Sequence, residues 1–211
     1  AWLLAGSYDD FSLENRMFNI ICAVALIALS VALPVNFLLG YPIVAQLFTA
    51  FLMTLQVYLY YLARFKKRFY ISRIVFAIMS YVFLSVNYFL NSGIEGPTLL
   101  AFFLTYVFLV AIFSRNSYWI WTVLHITVAL ALLTIDYYFP QWVRYSYTDE
   151  TSKCIDITIT YVLMLFFSYV ALSFIKSNYE TEKASSTEKT IEIEEQNKVL
   201  AKVNEEKNKL F

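Results

Sequence analysis

Charge is what this chain has least of. Its 211 residues carry 16 basic and 16 acidic side chains, 15% of the total, against 60% hydrophobic and 19% aromatic residues and a mean hydropathy of +0.59. A soluble domain averages about 25% charged and roughly 45–50% apolar residues. Seven Lys and eight Glu of the charged set lie between Lys176 and Phe211, which leaves 17 for the first 175 residues. So thin a covering excludes a soluble globular enzyme. Two cysteines exclude a disulfide scaffold, and zero net charge gives no case for nucleic acid as a partner. A single histidine, with no His/Cys cluster around it, argues against a metal centre, and no cofactor is expected. Glycine and proline are also rare, four of each, and neither occurs between Gln141 and Phe211.

Between these breakers run six apolar stretches: 17–39, 42–62, 69–90, 98–113, 118–139 and 154–175. Most approach the ~20 residues a helix needs to cross the hydrocarbon core. The fourth is short and must borrow flanking residues or sit in a thinned bilayer. Backbone amides in lipid have to pair internally, so helices are expected, and the runs are too evenly apolar for barrel strands. The first stretch is a retained span, because Asp9, Asp10 and Glu14 outweigh Arg16 where a signal peptide needs positive charge. The absence of an initiator Met suggests a fragment. The expected fold is an all-α bundle of six membrane helices, divided into residues 1–16, an N-terminal segment; 17–175, the bundle; and 176–211, a charged tail.

Arg64, Lys66, Lys67, Arg68 and Arg73 crowd the second connection. The positive-inside rule places that loop, both termini and residues 114–117 in the cytoplasm, and 91–97 and 140–153 outside. Short connections make consecutive helices antiparallel neighbours.

The tail is helix-favouring. With Ile193 at heptad position a, Leu200 is the next a, while Val203 and Leu210 take d positions. The pattern covers about two and a half heptads, which is short; a solvated or disordered tail is the alternative to a homodimeric coiled coil. A helix continuing from Cys154 to Phe211 would extend on the order of 85 Å and could carry a rotation or tilt along its axis.

The run from Asn197 to Phe211, NKVLAKVNEEKNKLF, resembles the signalling helix that enters the dimerisation and phosphoacceptor domain of sensor histidine kinases. The segments ENRMF at 14–18, NSGIEGPT at 91–98 and DYYFP at 136–140 are similar to the six-helix sensor region of hybrid histidine kinases from Bacteroidetes-type bacteria. The resemblance implies a multi-pass sensor in a bacterial cytoplasmic (inner) membrane feeding a downstream kinase domain, ATP-dependent in the parent protein, with the fragment itself no enzyme.

Polar side chains within or beside membrane spans are candidates for function. Asn87, Asn91, Glu95, Asp136 and Asp156 gather near the outer side in this topology, with Arg144 and the rings of Tyr137, Tyr138, Trp142, Tyr145 and Tyr147. A pocket floored by acids and walled by rings would suit a small amphipathic or cationic ligand of unknown identity. The plainer reading is an interfacial aromatic belt with acids facing water. Asp156 stands out because it lies inside an apolar run, one turn from Thr160. His125 shares a helix face with Asp136 but sits roughly 16 Å away along the axis. A hydrogen bond to a neighbouring helix is its expected role, and proton sensing the alternative. Cys22 and Cys154 read as packing residues too far apart to bridge. Pro34 should kink the first span, Ala28 and Ala32 offer a small-xxx-small contact, and Arg73 can snorkel to the interface. Beside the receptor reading stand a small six-helix transporter or channel with an oligomerising tail and, more weakly, a membrane enzyme.

Overall fold

The computed structural model describes the backbone of residues 2–7, 10–38, 43–145, 147 and 149–209, and all of their side chains except those of residues 2, 3, 45, 182 and 202–209. Every regular element among them is helical. A four-residue helix, α1 (Trp2–Ala5), precedes α2 (Leu13–Leu38), α3 (Ile43–Arg64), α4 (Phe69–Leu90), α5 (Thr98–Ile112), α6 (Tyr118–Tyr138) and α7 (Glu150–Lys209), with single 3-10 turns at 93–95, 115–117 and 140–142. Five of these helices, α2, α3, α4, α6 and α7, are long and apolar enough to cross a membrane. The fifth is 15 residues long, one residue shorter than its apolar run. Chain contacts group residues 1–171 into one unit and 172–211 into a second.

Helix α3 shows why the bundle forms. Its buried residues are Thr49, Leu52, Gln56, Leu59 and Ala63, spaced by three and four so that they make one stripe. The stripe packs most closely on α2, whose first half is buried almost continuously from Arg16 to Cys22. Phe18 of α2 meets Phe76 of α4 edge to face at 5.7 Å. Helix α6 is different: among its residues only Leu132 and Asp136 are buried. Its remaining surface is apolar and exposed, including Trp119, Ile120, Val123, Ile126 and Leu130. So large an exposed apolar face is compatible with lipid.

Two helix boundaries differ from the apolar runs, each for a local reason. Helix α2 begins at Leu13 rather than Met17, because the backbone N–H groups of Asn15 and Arg16 already reach the Ser12 carbonyl. Helix α7 begins at Glu150 rather than Cys154, because the Asp149 carboxylate accepts the Ser152 N–H at 2.7 Å and caps the first turn. The helix then runs unbroken past Ile175. In its charged part Ile193 and Leu200 are exposed; Val203 and Leu210 lie outside the described side chains.

The basic end of the bundle is closed by the N-terminal segment. Asn19 donates to the Ala5 carbonyl at 2.8 Å and Tyr60 to the Leu4 carbonyl at 3.0 Å. Phe11 is buried edge-on against Phe69, with the Arg64 guanidinium 4.8 Å and the Lys67 ammonium 5.5 Å from its ring centre. Gly6, at φ +105°, lies so close to the Phe11 ring that a side chain there would collide with it. Arg73 donates Nη1 to the Ile112 carbonyl at 2.7 Å, because the short α5 leaves its C-terminal carbonyls unpaired within reach.

Phe11→Ala is expected to destabilise this end by about 3 kcal/mol and to speed amide exchange across residues 4–11. The Ser7 hydroxyl and the Lys67 ammonium, 3.3 Å from the carboxylate, hold Asp10 below its ordinary pKa. That contribution is present above the unfolded value of ~3.9 and fades as pH falls through the lowered folded value. The protection factors of the same amides, which remove the intrinsic pH dependence of exchange, should therefore fall only in strong acid and should not change between pH 6 and 8.

Candidate functional site

The opposite end of the bundle is built on the connection between α4 and α5. Asn91 ends α4 by donating its N–H to the Asn87 carbonyl at 2.8 Å, and the chain then turns through two left-handed residues, Ser92 at φ 61° and Gly93 at φ 56°. Only glycine suits the second of these. A Cβ on Gly93 would overlap the Asp136 carboxylate and press within 3.0 Å of Val143. A Cβ on Gly96 would run into the Asn91 carbonyl oxygen. The turn is pinned from the far side by residue 144, whose N–H donates to the Phe89 carbonyl at 2.7 Å while its carbonyl accepts the Ser92 N–H at 3.1 Å.

This turn brings two carboxylates of distant sequence into the same end of the bundle. Asp136, in the last turn of α6, is buried and accepts the Tyr88 hydroxyl at 2.7 Å and the Ile94 backbone N–H at 2.9 Å, both on Oδ2. Tyr88 is fully buried. Asp156, in the second turn of α7, is also buried and accepts the Tyr147 hydroxyl at 2.7 Å and the Asn91 amide at 3.5 Å. At the rim Lys153 pairs with Glu95 at 2.8 Å. Asn87 donates to Thr98 at 3.0 Å and ties α4 to the first turn of α5. The donors to both buried carboxylates are thus neutral phenols, an amide and a backbone N–H, while the charged pair stays half in solvent.

Of the residues singled out from sequence, Asn87, Asn91, Glu95, Asp136 and Asp156 fall at this end within one set of contacts. Arg144 contributes through its backbone, its side chain being exposed. Most of the neighbouring rings, Tyr137, Tyr138, Trp142 and Tyr145, are exposed, as an interfacial belt would be. Tyr147 alone among them touches a carboxylate. His125 sits elsewhere, in an aromatic nest. Its ring centre is 4.9 Å from Tyr106 and 6.0 Å from Phe102, and its Nδ1 lies 3.4 Å from the Tyr81 hydroxyl. Among the described residues no three His, Cys, Asp or Glu side chains could hold a metal together. Cys22 is buried and Cys154 exposed, both as thiols.

Sequence reasoning missed Tyr88, Thr98 and Lys153. Tyr88 carried a legible signal: it stands one heptad after Tyr81, and these two tyrosines of α4 receive His125 and Asp136, the two polar groups on one face of α6.

Below the carboxylates a cavity of about 250 Å3 opens among α2, α3, α4, α5 and the first part of α7. Ala28 and Ala32 border it, so the small side chains there leave space as well as allowing approach. Asp156 and Thr160, one turn apart, both line it.

No protein-family model, curated protein or solved structure matches this chain.

The network predicts opposite outcomes for two substitutions at one position. Asp136→Asn keeps an oxygen for Tyr88 and Ile94 and is expected to cost little. Asp136→Ala strands both donors and should cost about 1–3 kcal/mol for each. Thermal unfolding in lipid nanodiscs checks this; equal losses would mean that the charge rather than the acceptor matters.

Proposed function

We propose that the chain is the sensing module of a bacterial two-component histidine kinase, seated in the cytoplasmic membrane with both termini inside and working as a homodimer. The carrying observation is the pair of buried carboxylates at the 91–97 end. It joins the α4–α5 turn, α6, the segment at 144–147 and the start of α7, and α7 is the helix that continues into the charged, heptad-patterned tail. In this reading that end faces outward, since the basic cluster Arg64–Arg73 lies at the other. A ligand or a change in the bilayer that alters the hydrogen bonds on Asp156 acts directly on the helix leading to the output domain.

The energetics required are modest. A ligand moves a two-state equilibrium only by its differential affinity for the two arrangements, and couplings of about 1–3 kcal/mol are typical. Breaking one of two hydrogen bonds on a buried carboxylate is of that size.

The test uses the parent protein. Inserting four residues after Ser186 shifts the phase of Ile193 and Leu200 against the bundle, whereas inserting seven restores it. Autophosphorylation in membranes should lose its signal dependence with four inserted residues and keep it with seven. Equal activity in both would contradict transmission through α7. The coding sequence after Phe211 supplies the companion check: a His followed by Asp or Glu and then Pro would support the kinase reading, and an immediate stop would favour a transporter or channel.

A further inference from the structure

The cavity beneath Asp156 does not end where its polar lining ends. A second cavity, of about 160 Å3, lies deeper in the bundle and is walled by Val24, Leu52, Leu59, Phe76 and Met79. The two share Ala28, Phe83, Ala101, Met164 and Phe167, so they adjoin along these side chains. Along α2 the lining runs from Asn36 to Val24, 12 residues, or about 18 Å of helix axis. Together the volumes fall at the lower end of the roughly 300–1,000 Å3 of small-molecule pockets.

Its chemistry is graded from end to end. At the outer end stand Asn36, Thr49, Asn87, Asn91 and Asp156, and among the described residues Asp156 is the only ionisable group in either lining. The middle and deep parts are aliphatic and aromatic, apart from Thr160, Ser80, Thr105 and Gln56. Gln56 is buried, with its side-chain amide against the Cys22 thiol. The apolar part of the lining offers water few hydrogen-bond partners, whereas a hydrocarbon chain gains dispersion contacts with it.

We infer that this channel is a binding site for a single-chain amphiphile whose head group donates hydrogen bonds, with the head at Asp156 and Asn91 and the chain running down between Ala28 and Phe167. An ammonium or hydroxyl head satisfies the carboxylate; a carboxylate or phosphate head is repelled by it. The occupant displaces or shares the Tyr147 and Asn91 contacts on Asp156. That deepens the receptor reading, and rests on it, by naming the chemical class that changes the start of α7. The source is either a bilayer lipid or a solute, since both can present the same head and chain.

The test is photocrosslinking of the full chain in phosphatidylcholine nanodiscs, using dodecylamine with a diazirine near the chain end. Labelling is expected on peptides containing Val24–Leu29 and Met164–Phe167, saturable by unlabelled dodecylamine. Ala28→Leu and Ala101→Leu, both helix-compatible, fill the channel from different helices and should each abolish it. Asp156→Asn should weaken competition by dodecylamine about tenfold or more and change competition by dodecanol much less. Labelling that does not saturate, spreads over exposed residues such as Val123 and Ile126 and persists in both leucine variants would overturn the inference. Native mass spectrometry of protein extracted from membranes separates the sources. A bound amphiphile that dodecylamine displaces points to the bilayer, an empty site that takes dodecylamine points to a solute, and either supports the site. Occupancy is read without any kinase activity, so an unlabelled channel sinks this inference alone, while the phase-shift insertion judges the receptor reading separately.

Discussion

A carboxylate withdrawn from water must find hydrogen-bond donors within the fold, since the cost of leaving it bare runs to many kcal/mol. Asp136 meets that demand with the Tyr88 hydroxyl and the Ile94 N–H, and the rest of this end follows. For the Ile94 N–H to point at Asp136 the chain must turn immediately after α4, which requires left-handed Ser92 and a glycine at 93. For Tyr88 to reach it, α6 must lie against α4, although α6 buries almost nothing else. The bond network thus positions a helix that apolar packing alone holds weakly.

The two ends of the bundle solve the same problem with opposite charge. At the basic end, cations are spread over the Phe11 ring, the Asp10 carboxylate and the last carbonyl of α5. At the other end, the buried carboxylates accept from neutral donors, and the Lys153–Glu95 ion pair sits at the rim, where it contributes little to stability. Between them the first half of α2 is packed on all sides, whereas its second half borders a cavity. Rigidity is therefore concentrated at the basic end, and space is left beside the residues that reach α7.

Helix number and approximate limits were legible because twenty-residue apolar runs between rare breakers have few other meanings. The gathering of Asn87, Asn91, Glu95, Asp136 and Asp156 was legible too, since alternating spans bring helix ends of the same parity together. What escaped was set by geometry that no periodicity encodes. The bond from Arg73 to the Ile112 carbonyl depends on where α5 stops, one residue before its apolar run does. The role of Tyr88 depends on which face of α4 meets α6. The cavity depends on the absence of volume at Ala28, Ala32 and Ala101, small residues that in sequence read equally well as close helix contacts.

The central physical claim is that Asp156 ties the start of α7 to the α4–α5 turn. Hydrogen–deuterium exchange of the chain in nanodiscs, comparing wild type with Asp156→Ala and Asn91→Ala, addresses it most directly. The expected result is faster exchange in both variants at residues 152–160 and at 91–96, with residues 16–22 of α2 unchanged. Unchanged exchange at the start of α7 in both variants would contradict the claim, because the helix would then be held by something other than its buried carboxylate.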